Sequence, residues 1–100
     1  MASGLLGKAD LAAATDTLLF TAGVTPQTFN VRFANRNTTA VKIRVAIGVG
    51  GAPAVADYVD YDVAIQANGI LEDTGLVCSS AEQVWARSDT ANVSVRAHGM

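Results

Sequence analysis

An all-β fold is expected from three observations: a single antiparallel β-sandwich of immunoglobulin-like or jelly-roll kind. Apolar residues recur with period two in short runs, which places alternate side chains on opposite faces of a strand. Turn-forming residues punctuate those runs about every eight to twelve positions. After residue 16, no stretch shows the 3.6-residue period of an amphipathic helix. Seven or eight short strands fit into the chain's 100 residues, a length that suits one domain.

Taken in order, residues 1–15 (MASGLLGKADLAAAT) suit an N-terminal arm or a short helix, with Leu5, Leu6 and Leu11 as apolar anchors. Gly4 and Gly7 weaken a helix there. Residues 16–100 form the sandwich domain. Thr17 to Ala22 is rich in strand formers and is broken by the Gly and Pro of the segment that follows. Phe29, Val31 and Phe33 alternate with Asn30, Arg32 and Ala34, and Val41, Ile43, Val45 and Ile47 alternate with Lys42, Arg44 and Ala46. With the polar link Asn35 to Ala40 between them, these two segments read as an antiparallel hairpin. Its inner face would be the core, and its outer face would gather Arg32, Lys42 and Arg44. Gly48 to Ala56 is a loop by composition. In Asp57 to Val63 the set Asp57, Val59, Tyr61 and Val63 is read as inward. Asn68-Gly69 signals a turn. Ile70 to Cys78 is a strand with a bend at Gly75. Gln83 to Arg87 and Ala91 to Ala97 are the last two strands.

Composition narrows the function classes. Half the residues are hydrophobic, only 16% are charged, and the apolar excess is Ala and Val rather than aromatic. Such a chain either builds a thin core of small residues or buries further surface against partners, and partners are the preferred reading. A net charge of −2 argues against a nucleic-acid partner. The longest weakly polar run, Val45 to Ala56, is too short and too rich in Gly and Pro to span a bilayer, and no secretory leader is recognisable. With one cysteine, an internal disulfide and a four-Cys zinc site are excluded.

Candidate chemistry is sparse, and the chain reads as non-enzymatic, without cofactor or metal. His98, the only histidine, lies near the end of the chain with no evident acid or nucleophile to orient it. Cys78 reads as a buried apolar filler. Asp57, Asp60 and Asp62 are the one acidic cluster, but calcium wants six to eight oxygens and no EF-hand pattern is present. The GVGG run from Gly48 to Gly51 lacks the Lys and the following helix of a phosphate loop. Trp85 either fills the core or anchors an interface.

The layout TLLFTA, a strand ending in NR, then TAVKIRVAIG, ADYVDYDVAI, NGILEDTGLVCSSAEQVWARSD and VSVRAHG resembles small virion structural proteins of tailed bacteriophages. The resemblance covers nearly the whole chain. It implies a β-sandwich module that decorates capsids or belongs to the tail, baseplate, neck or fibres, although this chain lacks a long fibre-like repeat. The first expectation is a capsid decoration (cement) protein in the virion, assembled in the host cytoplasm. It would bind the major capsid protein or other virion proteins as a homo-oligomer, a trimer before a dimer. Leu5, Leu6, Arg32, Arg36, Lys42, Arg44 and Trp85 are the candidate contact residues. A carbohydrate-binding sandwich using Tyr58, Tyr61 and Trp85 is the alternative from another class.

Overall fold

The computed structural model describes residues 4–99. Eight strands run in chain order: β1 (Gly4–Leu11), β2 (Thr17–Thr21), β3 (Gln27–Asn35), β4 (Val41–Gly48), β5 (Tyr58–Ile65), β6 (Ile70–Cys78), β7 (Gln83–Ser88) and β8 (Val93–Gly99). A single turn of 3-10 helix, Val55–Asp57, precedes β5. Residues 1–3 of the expected arm lie outside the described residues. Where the sequence suggests an arm or short helix, Gly4–Leu11 is a strand at the edge of a sheet, paired with β8. The polar residues Lys8 and Asp10 alternate with Gly7, Ala9 and Leu11 there, so period two was present but was obscured by the glycines.

The strands form two antiparallel four-stranded sheets, ordered β1-β8-β3-β6 and β2-β7-β4-β5. Pairing is nested: β1 with β8, β2 with β7, β3 with β6, β4 with β5. Two further pairings, β3 with β8 and β4 with β7, join these ribbons into sheets. Six of the seven connections therefore cross from one sheet to the other, and β4–β5 alone joins neighbours.

That topology overturns the expected hairpin over Phe29 to Gly48. β3 and β4 are both strands, but they lie in opposite sheets. Their apolar faces still point into one core. Phe29, Val31, Phe33, Val41, Ile43 and Val45 are buried, and Ile47 packs against them. Each such side chain contributes about 1.5–3 kcal/mol by leaving water. Leu11, Leu19, Ile65, Val84, Val93 and Val95 join the cluster together with Ala22, Cys78, Ala86 and Ala97, so both sheets feed it. Phe20 meets Phe29 edge-on at 5.2 Å between ring centroids. Beside that contact, β1 comes so close to β2 that a Cβ on Gly7 would collide with the Leu19 carbonyl.

Asn35 shows why the link crosses rather than turns back. It shares the parity of Phe29, Val31 and Phe33, so it points inward and is buried. A buried amide must be hydrogen-bonded. Its Nδ2 donates to the carbonyls of Thr39 (2.9 Å), Gln66 (3.0 Å) and Ile65 (3.3 Å). Its Oδ1 accepts from the Asn37 backbone (2.9 Å) and from Asn37 Nδ2 (3.0 Å). Asn37 in turn donates to the Ala91 carbonyl at 2.8 Å. Two asparagines thus tie the β3–β4, β5–β6 and β7–β8 crossings together at one end of the molecule. Asn35→Ala is expected to destabilise the domain by about 2–3 kcal/mol, because several buried partners lose their bonds at once. Asn35→Asp should not rescue it, since a carboxylate cannot donate. Urea unfolding of the three proteins measures both.

Candidate interaction surfaces

Each sheet turns one face to the core and one outward, and the candidate contact residues fall on both outer faces. Arg32 lies on the first sheet, whereas Lys42 and Arg44 lie on the second. The basic face expected from a hairpin therefore does not exist, because its two strands belong to different sheets. Arg36, just past β3, is ion-paired with Asp10 of β1. Leu5 is half-exposed on the β1 edge, whereas Leu6 packs against the core. Trp85 is only 3% exposed, yet it lies opposite in parity to the core residues Val84 and Ala86. It fills the outer side of the second sheet, with Leu18 and Ala46 as cross-strand neighbours. It is thus neither part of the shared core nor exposed to a partner.

The outer face of the second sheet is organised by Arg44. Opposite it, β5 carries an extra residue, with Ile43 paired to Val63 but Val45 paired to Asp60. Asp62 there has φ 54°. Such a bulge puts two residues against one and re-aims their side chains. A second register shift lies between Val45 and Ala46, which pairs with Tyr58. Together these breaks defeat simple alternation in β5. Val59 and Tyr61, expected inward, are 50% and 59% exposed. Arg44 Nε donates to Asp62 Oδ1 at 2.8 Å, and its guanidinium lies 3.9 Å from the Tyr61 ring centroid and 5.6 Å from that of Tyr58. The two tyrosines meet edge-on at 5.3 Å. The Arg44 hydrogen bond holds the Asp62 carboxyl below the usual carboxylate range, helped by the charges of Arg44, Lys42 and Arg87. The same bond raises the Arg44 guanidinium above its ordinary value, against the opposing effect of desolvation. The Tyr58 hydroxyl reaches Asp16 at 3.4 Å, and Arg87 lies 3.8 Å from the same carboxylate. Val55, Tyr58 and Tyr61 line a shallow groove of about 310 Å³ beside this cluster.

The outer face of the first sheet carries a basic row that the sequence did not bring together. Lys8 pairs in register with Arg96, and Arg96 with Arg32. A cleft of about 250 Å³ is lined by these three residues with Ala34, Ser94 and Val95. Only the pairing of the first strand with the last makes this arrangement, so no local motif could signal it.

The acidic cluster is dispersed. Asp57 Oδ2 accepts from the Ala54 backbone at 2.8 Å and closes the 3-10 turn. Asp62 belongs to Arg44. Asp60 turns inward from β5 toward Asp73 of β6, where the free edges of the two sheets meet. The Oδ2 atoms of Asp60 and Asp73 are buried, and neither has a partner other than the facing carboxyl. A proton held on Asp60 supplies the donor that such a contact lacks. Desolvation, then the hydrogen bond and charge of Asp73, push the Asp60 carboxyl up to about 7. No group of three or more metal-ligating side chains occurs among the described residues.

Cys78 is fully buried, with Sγ 3.6 Å from the Gln27 carbonyl, and burial raises its thiol. His98 faces outward on β8 with Nε2 3.4 Å from Asn30 Nδ2. The thiol and the imidazole thus lie on opposite faces of the first sheet. No helix among the described residues is long and apolar enough to cross a membrane. No family model, curated protein or solved structure matches this chain.

The buried carboxyl pair makes stability depend on pH. A carboxyl raised in the folded state stabilises fully below the ordinary carboxylate range, and that contribution is lost as pH rises through about 7. Asp62, lowered by Arg44, has the opposite sense and loses its contribution only in acid below the carboxylate range. Between pH 5 and pH 8 the Asp60 effect should therefore make the protein less stable at the higher pH. Asp60→Asn should shrink that difference and stabilise the protein at pH 8, as read by urea unfolding at both pH values.

Proposed function

We propose that this chain is a non-enzymatic virion structural protein, a capsid decoration module of a tailed bacteriophage that binds the outer capsid lattice as an oligomer. The observation that carries the reading is the strand order. Sheets ordered β1-β8-β3-β6 and β2-β7-β4-β5, with nested pairing, fit a jelly-roll sandwich. That architecture recurs in viral capsid domains and in lectins. Fold alone does not define function, so the site must argue too. The large apolar side chains exposed on strands all belong to the four edge strands: Leu5 of β1, Leu18 of β2, Val59 and Tyr61 of β5, Ile70 and Val77 of β6. Edge strands present unpaired backbone groups, and apolar residues there invite a covering partner. A module gripping neighbours on several sides fits a repeating lattice better than a single soluble target.

Binding the assembled lattice in preference to free capsid subunits stabilises the shell by mass action, and several weak contacts per oligomer multiply. Leu5, Arg32, Lys42 and Arg44 are exposed enough to take part. Leu6 packs against the core and Trp85 is buried, so neither offers surface to a partner. The partner is the major capsid protein or another virion protein, and the site of residence is the virion.

The test is cosedimentation of the purified chain with phage capsids lacking decoration, together with its copy number per particle. Hundreds of copies are expected, on the order of the number of lattice positions. A few tens or fewer assign it instead to the tail, baseplate or neck. Leu5→Ser with Val77→Ser should weaken capsid binding at least tenfold while leaving the fold intact, as judged by circular dichroism. A second reading, carbohydrate binding, rests on the groove at Val55, Tyr58 and Tyr61. A glycan-array signal lost on Tyr61→Ala would favour it over the first.

A further inference from the structure

We propose that the cleft between Lys8, Arg96 and Arg32 on the outer face of the first sheet is a binding site for a doubly charged tetrahedral oxyanion, a phosphate group free or carried as a monoester. The three residues occupy one cross-strand row over β1, β8 and β3. Neighbouring strands lie about 4.8 Å apart, so the central arginine has a like charge directly opposite on each side. Like charges so placed repel and destabilise a sheet unless something neutralises them.

The protein's own acids do little of that here. Of the seven basic residues in the chain, Arg32, Arg36, Arg44 and Arg87 are ion-paired with Glu72, Asp10, Asp62 and Asp16. Among the described residues, Lys8, Lys42 and Arg96 have no ion pair, and of these Lys8 and Arg96 are cross-strand neighbours. Arg32 meets Glu72 only at 3.6 Å, with both side chains well exposed. The other acid near the row, Asp10, is taken by Arg36. Three cations against one carboxylate leave two positive charges, which match a phosphoryl group carrying between −1.5 and −2 at neutral pH.

Shape agrees with charge. The next row toward the Arg36 end holds the small side chains Ser94 and Ala34. They leave a depression of about 250 Å³ with the long cationic side chains along its side. The cleft walls are mostly the aliphatic stems of those side chains, and the two guanidinium forks and the ammonium at their ends can turn paired and single N–H donors onto a phosphate seated there. Ser94 adds a hydroxyl. The net charge of the whole chain is −2, so general attraction of anions does not account for such a cleft.

The experiment is a titration of the full chain at pH 7.5 with inorganic phosphate, with glycerol 3-phosphate and with acetate, each at matched ionic strength. It is read by amide chemical shifts and by thermal unfolding. Both phosphates should shift the amides of Lys8, Arg32, Ser94 and Arg96 in a saturable way and raise the melting temperature, and acetate should do neither. Equal binding of the two phosphates assigns the site to the group alone, and tighter binding of the ester assigns it to a phosphorylated ligand. Arg96→Gln should weaken binding at least tenfold, and Arg87→Gln on the opposite sheet should leave it unchanged. Should Arg96→Gln fail to fold, Lys8→Gln and the shift map of the unmodified chain decide the matter. Shifts that do not saturate, that lie elsewhere, or that acetate reproduces would overturn the proposal.

Discussion

The constraint on which the structure depends is that β3 and β4 must bury their alternate side chains in the same core while standing in different sheets. Phe29, Val31 and Phe33 from one strand and Val41, Ile43 and Val45 from the other leave water together. Pairing them as a hairpin would align both apolar rows on one face of one sheet and leave that face needing another cover. Crossing between sheets lets each row cover the other. The neighbours of these strands follow, since β8 and β6 flank β3 while β7 and β5 flank β4. The crossing itself requires a polar link that can be buried at its start, which is the role of Asn35.

The edges show how the same constraint creates surfaces. A sandwich of this kind leaves four edge strands, and all four are irregular in register: β1 near Gly7, β2 at Leu19, β5 at two places, and β6 near Gly75. Bulges twist an edge and interrupt its regular row of unpaired groups, a known protection against indiscriminate pairing. Here they also aim side chains. The β5 irregularities deliver Tyr58, Tyr61 and Asp62 to Arg44 and turn Asp60 inward. Beside the β6 irregularity, the Gly75 backbone donates to Asn30 and Asp73 faces Asp60. An inward carboxyl on each of two facing edges is a further device against edge-to-edge association, since another sheet docking there would bury it. Selective contact through a few exposed apolar residues fits such managed edges.

The strands themselves were largely legible in the residues. Seven of the eight follow from period-two alternation or strand-forming composition bounded by turn residues, and the inward faces of β3, β4 and β8 follow from parity alone. Asn35 was read as the start of a polar link, although it continues the parity of Phe33 and is buried. β1 was missed because Gly4 and Gly7 mask its alternation. In β5, Val63 was read inward and packs against the core, whereas Val59 and Tyr61 were misassigned because the bulge reverses parity and leaves no signature in the local sequence.

What the sequence determined by itself is therefore local: which segments are extended, which side of most strands is apolar, and the scarcity of residues able to do acid–base or metal chemistry. Tertiary structure decided which strands pair, and with that every surface. Lys8 and Arg96 are 88 positions apart in the chain yet adjacent in the sheet, whereas Arg32 and Lys42, close in sequence, face away from one another. The physical reason is that alternation records only the distinction between water and core. The hydrogen-bonding groups of the backbone are the same at every residue, so partner choice rests on long-range packing that no short stretch contains.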